Sequence, residues 1–483
     1  MRTHYPLLLA LLLAQLFCSR APAQQLLSLE QLRNLAADRA TTVLVARQEL
    51  ALARLERRAL AARLRPRLDL VANLPNYLRT SREVVLDDGT IGFRQIEINN
   101  SFAGLAATQR IAATNTLLRL ESRLQRTDNL TADERSYQGS PVRLMIQQPL
   151  LAFNPLRWER ELLPLREGLA AAEPAAARAD AALEATVLFF DLVTADQERR
   201  IAEANRAANE QLFAVAETRA ELGRISRGDL VQLRLELVTA EQNLLRAERL
   251  LGAASAAIRR LTGQPPGSEN YRPALPEPTA QATVRLNDAL LRLRARRPEL
   301  LAAHLRQREA ARETQRTGRE LGPRIDLEAG FGYIRNDAAL PPIYNDPREE
   351  RILSLNVSLP ILDGGERRAR LGQAAAAREL ADDLARRRER ELTTELTQVL
   401  EQWTTVSDEL RLAAEIRDLA DERFGISRAS YELGAIPLAE LTLAQEFRDR
   451  NARAYVQSLR AYWVTHARLD RLTLDGFGDN LNL

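Results

Sequence analysis

Apolar and polar positions follow two periods along this 483-residue chain, and their order repeats. From Leu29 to about Arg63, apolar residues recur at helical spacing (Leu32, Leu35, Val43, Leu50, Leu52, Leu55), and Pro66 ends the stretch. Leu68, Leu70 and Ala72 then alternate with Arg67, Asp69 and Val71, the period of a strand. Further on, Ile325, Leu327, Ala329, Phe331 and Tyr333 alternate with Asp326, Glu328, Gly330 and Gly332. After a polar, Pro-containing loop at Asn336–Arg351, Leu353, Leu355, Val357, Leu359 and Ile361 alternate with Ser354, Asn356, Ser358 and Pro360. A strand of about ten residues, apolar on one side and small or polar on the other, has the pattern of a transmembrane barrel strand. An ordinary hairpin on a soluble core gives the same alternation.

Two long helical segments follow the strands, Leu156–Leu222 and Gly365–Leu433, each roughly 100 Å if continuous. Pro164 and Pro174 are expected to kink or break the first near its start. Each segment ends in Glu-Leu-Gly, where glycine supplies the left-handed turn that stops a helix. A return helix from Leu230 to Leu261 places Leu, Ala or Ile at 230, 233, 237, 240, 244, 247, 251, 254, 258 and 261, a coiled-coil seam. The second return helix is less regular, with Leu441, Ala444, Tyr455, Leu459, Tyr462 and Leu469.

These elements are written twice. Glu432-Leu433-Gly434 with Glu440-Leu441 lies 211 residues after Glu221-Leu222-Gly223 with Asp229-Leu230. Pro360-Ile361-Leu362 follows Pro149-Leu150-Leu151 at the same offset. Pro323-Arg324-Ile325-Asp326-Leu327 follows Pro66-Arg67-Leu68-Asp69-Leu70 at an offset of 257, so the first copy holds 46 extra residues between Pro66 and Pro149. Ile96–Ile111 and Asn115–Arg126 both look extended and account for them as an added hairpin. The expected division is a leader at 1–23, a first repeat at 24–263, a linker at 264–284, a second repeat at 285–474 and a tail at 475–483.

Composition sharpens this picture in three ways. All 68 basic residues are Arg, against 65 acids, and a net charge of +3 is far from a polybasic nucleic-acid binder. Residues 1–23 have a short basic start, an apolar stretch and Ala21-Pro22-Ala23 before a cleavage point, the form of a secretory signal. Its removal takes away the single cysteine, Cys18, whose preceding Gln15-Leu16-Phe17 makes a poor lipidation signal. No later run of 18 or more apolar residues follows, so membrane insertion has to be by strands.

Catalytic chemistry is not encoded. His304 and His466 are the histidines of the mature chain, and there is no Gly-rich phosphate loop or metal-spaced cluster. His466 falls on the apolar line of Leu459, Tyr462 and Leu469, as a packed core residue would. We expect no enzyme activity, cofactor or metal. Four or even six strands cannot close a membrane barrel, because the smallest need eight, and open edges are not tolerated in lipid. Strands that enter a membrane here therefore require oligomerisation, and three copies of four strands make twelve.

The repeated helix–strand–strand–long-helix unit with its paired Gly turns resembles the TolC-like outer-membrane efflux family over essentially the whole mature chain. The family's Tyr-x-Val-Gly turn, followed six residues later by an acid and an aliphatic residue, is matched by Tyr431-Glu432-Leu433-Gly434 with Glu440-Leu441. Gln148-Pro149-Leu150 and Pro360-Ile361-Leu362-Asp363-Gly364-Gly365 match its strand ends. The added hairpin and the Phe153–Trp158 turn resemble Bacteroidota-type members. The resemblance implies a mainly α chain with a membrane β-barrel, forming a homotrimeric duct with a 12-stranded barrel in outer-membrane lipid and an α-helical tunnel in the periplasm. It also implies a periplasmic adaptor and an inner-membrane pump, of the RND or ABC class, docked at the helical tip. Gly223, Arg224, Arg227, Gly434, Ala435 and Pro437 then become adaptor-contact candidates. Glu440 and Asp229 become candidate pore-constriction acids, although Leu443 stands where some members carry a further acid. The helix-cap reading competes: Ser226-x-x-Asp229 approaches a capping box, and an acid in a first turn gains from the helix dipole. A secreted coiled-coil structural or adaptor protein is the rival from another class.

Overall fold

The computed structural model describes residues 25–85, 89–221, 225–265, 271–278, 284–340 and 345–474. The expected leader and tail lie outside the described residues, as does part of the 264–284 linker. Two compact units divide the chain. One comprises Leu50–Ala170 and Glu299–Arg388, and the other the described parts of Met1–Glu49, Ala171–Pro298 and Glu389–Leu483.

The first of these units is built on a sheet. Its strands are β2 (Arg67–Asn73), β3 (Tyr77–Val85), β4 (Ile91–Ile111), β5 (Thr116–Asn129), β6 (Glu134–Pro149), β8 (Arg324–Asp337) and β9 (Arg348–Ser358). They pair in the order β2-β4-β5-β6-β8-β9, all antiparallel, and β3 also pairs with β4. Since β2 lies against Phe102–Thr108 and β3 against Ile91–Asn99, the two share one edge of β4. The sheet is therefore six strands wide. The twelve-strand count expected for three copies assumed four, and the added hairpin is paired into the middle of the sheet between β2 and β6.

Directly paired residues share a face, so the registers sort every side chain. Leu70 opposes Leu105, Leu105 opposes Ser122, and Ala107 opposes Leu120. Leu120 opposes Leu144, Leu144 opposes Phe331, and Ala329 opposes Leu353. One face is thus predominantly apolar, interrupted by Ser122 and by Arg351 opposite Phe331, and Leu70 and Leu353 on it are 76% and 79% exposed. The other face carries Asp69, Arg119, Glu121, Arg143, Glu328 and Glu350. Here Arg143 reaches Glu121 at 3.7 Å and Glu350 at 3.3 Å. Gly332 sits between Arg143 and Glu350 in the ladder, and a Cβ there would come within 2.9 Å of the Arg143 Cα. Glycine is what lets these strands approach.

The other unit is helical. It holds α1 (Leu29–Arg39), α4 (Arg227–Thr262), α5 (Leu286–Arg296), α8 (Leu438–Thr473) and parts of α2 (Thr41–Arg63), α3 (Pro155–Glu221) and α7 (Glu366–Glu432); α6 (Pro298–Glu320) lies almost wholly in the sheet unit. Within it α3 and α8 run antiparallel, with Asp180 bonded to Arg471, Asp191 to Arg460 and Glu198 to Arg453. α7 packs on α8 through Trp403 and Tyr462, ring centroids 5.4 Å apart, and Arg417 lies 4.1 Å over Tyr455. On α4, Leu233, Leu237, Ala240, Ala247, Leu251 and Ile258 are buried, the seam that the heptad spacing specifies. His466 is buried against Trp403 and Trp463, a core residue as its position on the apolar line suggests.

Three local expectations change. The helix expected from Leu29 to Arg63 breaks at Ala40, whose ψ of 135° is extended while its N–H still donates to the Ala36 carbonyl. α3 runs unbroken through Pro164 and Pro174. Each proline removes one N–H from a 67-residue ladder, and Leu162, Ala170 and Ala176 alongside are buried by tertiary packing. The linker contains a strand, β7 (Tyr271–Ala274), which pairs in parallel with β1 (Gln25–Ser28). Tyr271 and Leu27, both buried, supply the apolar side of that pair.

Candidate functional site

The two helix-to-helix turns sit in the helical unit. In the second, Gly434 has φ of +75°, the left-handed conformation that costs a residue with a side chain roughly 1–2 kcal/mol. The Gly434 N–H donates to the Tyr431 carbonyl at 2.9 Å, and the Ala435 N–H to the Ser430 carbonyl at 2.9 Å, satisfying the last carbonyls of α7. Pro437 is the N-cap of α8 and offers no side-chain acceptor. Glu440 follows in the exposed first turn, with its backbone N–H on the Pro437 carbonyl at 3.1 Å.

In the first turn, Gly223 and Arg224 lie outside the described residues. Arg227, exposed, opens α4. Ser226 caps that helix: the Asp229 N–H donates to its Oγ at 3.1 Å, and the hydroxyl donates to the Asp229 carboxylate at 2.7 Å. Asp229 is therefore held as a cap partner. Glu440 has no such hydroxyl, because proline stands at the corresponding cap.

A groove of about 800 Å³ brings part of both turns together, lined by Val215, Ile225 and Asp229 from the first hairpin and Phe424, Tyr431 and Pro437 from the second. Glu440 is not among its lining residues. A polar junction links the hairpins at the groove's edge. Asn205 on α3 donates to Asp449 on α8 at 2.7 Å and accepts from Gln445 at 2.8 Å. Arg448 donates to the Asp449 carboxylate at 2.6 Å while its guanidinium lies 4.2 Å over Phe424. Sequence reasoning missed this junction. Its one available signal is Asp449, a charge on the buried line that Leu441 and Ala444 begin.

Among the described residues no group of His, Cys, Asp and Glu is arranged to hold a metal ion, and no helix is long and apolar enough to cross a membrane. The site consists of turns, grooves and charged caps.

The family model described as outer membrane efflux protein matches residues 289–473. Curated proteins give no match. Among solved structures, a membrane protein from Pseudomonas aeruginosa superposes with a TM-score of 0.65 at 20% identity, covering 92% of this chain and 93% of that one. The outer membrane protein VceC from Vibrio cholerae gives 0.65 at 17% identity, over 93% and 96%. The CmeC outer membrane channel of Campylobacter jejuni gives 0.67 at 13% identity, over 94% and 87%. The chain has the mixed fold of these proteins, paired helical hairpins with a β-sheet region, over nearly its full length.

Proposed function

We propose that this protein is the outer-membrane duct of a tripartite efflux or type I secretion system. It works as a homotrimer without enzymatic chemistry, passing cargo from an inner-membrane pump and a periplasmic adaptor to the outside. The observation that carries this reading is the two-faced sheet. One face carries a band of exposed leucine, valine and phenylalanine on strand after strand, the kind of contiguous apolar surface that marks a contact with lipid or a partner, and the other is charged. That division suits lipid on one side and a water-filled lumen on the other. The soluble coiled-coil alternative leaves the band unexplained.

A second observation supports self-association in a ring. The helices of the helical unit form a row, α4 beside α3, α3 beside α8, α8 beside α7. The 211-residue offset converts α3 into α7 and α4 into α8. Applied to the α3–α8 pairs it turns Asp180–Arg471 into Glu391–Arg260, and Asn205–Asp449 into Ile416–Val238. Of the three acid–arginine pairs that of Asp180 and Arg471 is kept, while Asp191–Arg460 becomes Gln402–Arg249 and Glu198–Arg453 becomes Glu409–Gln242. The part-buried polar pair becomes two aliphatic residues that are 47% and 48% exposed in the single chain. α7 of one copy against α4 of the next thus repeats an interface the chain already contains, and three copies close a ring of twelve helices.

In this assembly Arg227, Gly434, Ala435 and Pro437, with Gly223 and Arg224, contact the adaptor at the tip. Glu440 is the better pore acid, since Asp229 is engaged by Ser226. The deciding experiment is the mass, in detergent, of protein recovered from the outer-membrane fraction. A trimer is expected; a water-soluble monomer or dimer overturns the reading.

A further inference from the structure

We infer that the added hairpin widens the barrel wall, so that three copies close an eighteen-stranded barrel rather than a twelve-stranded one. The inference rests on the trimeric outer-membrane reading and adds the number of strands that meet lipid. In the described sheet β4 and β5 are the second and third of six positions, flanked on both sides by strands of the main repeats. They cannot leave the wall without breaking the β2–β4 and β5–β6 ladders.

The side chains of the hairpin agree with this position. On the apolar face β5 presents Leu118, Leu120, Ser122 and Leu124 between two polar borders. The lower border is Thr116, hydrogen-bonded to Gln148 of β6. The upper border is Arg126, whose guanidinium donates to Asp128 at 2.9 Å, with Arg135 donating to the same carboxylate at 2.8 Å. Thr116 to Arg126 spans about 34 Å along a strand, or about 26 Å of height at a tilt near 40°. That matches the apolar band, about 25 Å tall, of outer-membrane barrels. A loop standing above the membrane has no need of such a band. On the opposite face the hairpin contributes Arg119, Glu121 and Arg123, in line with Arg143 of β6. Both of its faces therefore continue those of the neighbouring strands.

Closure is consistent in direction. Neighbours alternate through six strands, so β9 of one copy and β2 of the next meet antiparallel, and the two edges are joined by the ring. With strands about 4.8 Å apart and tilted near 40°, eighteen give a backbone diameter of about 36 Å, and twelve about 24 Å. The added hairpin more than doubles the cross-section of the outlet.

The test is electron cryomicroscopy of the full chain, extracted from outer membranes into lipid nanodiscs. Eighteen wall strands with β4 and β5 among them are expected. A trimer with twelve wall strands and the hairpin outside overturns this inference and leaves the duct reading standing; loss of the trimer overturns both. A second measurement works without an image. Leu105→Cys and Leu120→Cys, made separately with Cys18→Ser and labelled with a fluorophore, are expected to be quenched by a nitroxide carried on lipid tails and spared by aqueous iodide. The reverse preference at both positions overturns the inference.

Discussion

Asn205 of the first hairpin and Asp449 of the second are joined by a 2.7 Å hydrogen bond, within a junction that also ties down Gln445 and Arg448. The Asp449 side chain is 8% exposed, so its charge depends on these donors in place of water. Replacing it with leucine leaves the Asn205 amide and the Arg448 guanidinium with donors to rehouse. Asp449→Leu is expected to destabilise the chain by about 1–3 kcal/mol. Thermal unfolding of the detergent-solubilised protein checks this, and an unchanged midpoint would mean that the junction contributes nothing to holding the hairpins.

Val238 and Ile416 occupy the positions related to that pair by the internal repeat. A double variant, Val238→Cys with Ile416→Cys in a Cys18→Ser background, is expected to give cross-linked dimers and trimers on mild oxidation. Each single variant is expected to stay monomeric on denaturing gels. If the double variant forms no cross-link while its native mass remains trimeric, the repeat-derived register between copies is wrong.

Leu353 and Val357 face outward on the apolar side of β9. Arginine at either position is expected to cost about 2–4 kcal/mol at mid-bilayer depth. The readout is the amount of trimer in the outer-membrane fraction. Normal assembly of both variants would place this face out of contact with lipid.

Glu440 and Asp229 separate by conductance. Glu440→Ala in planar bilayers is expected to weaken cation selectivity and cation block, because a ring of three carboxylates is lost. Asp229→Ala is expected to act on the cap instead, lowering stability by a few tenths to about 1 kcal/mol with selectivity retained. Unchanged permeation in Glu440→Ala removes its pore role.

Glu173 on α3 carries a pH-dependent penalty. Burial, then the hydrogen bond and charge of Glu49 on α2, hold its carboxyl above the ordinary glutamate range. A raised folded-state value favours the protonated form in the native protein. Stability is therefore lost as pH climbs from the unfolded value, about 4.3, through the raised one, and stays lost above it. Glu173→Gln is expected to raise the melting temperature at pH 7.5 and to leave it nearly unchanged near pH 3.5. Equal gains at both values would locate the effect in packing.

Much of this architecture is local and so was readable in the residues. Alternation at Ile325–Tyr333 and Leu353–Ile361, the seam from Leu230 to Leu261 and the Gly434 turn each follow from a period or a backbone requirement within a few residues. The duplication gave the order of elements without any knowledge of contacts. Glu440 and Asp229 were legible as acids in first turns, and Ser226 as a cap beside Asp229; that the Ser226 hydroxyl engages the Asp229 carboxylate needed side-chain positions.

What tertiary structure alone decided concerns residues far apart in the chain. Alternation in β4 and β5 does not say which strands they pair with; only the pairing of Ala107 with Leu120 and of Leu120 with Leu144 places them inside the sheet. Pro164 and Pro174 are helix breakers by propensity, and packing around Leu162, Ala170 and Ala176 overrides them. Asn205 and Asp449, 244 residues apart, have no local signal that they meet. Periodicity reports which side of an element is buried. It does not name what buries it, because that depends on long-range contacts whose energy appears only when the elements assemble.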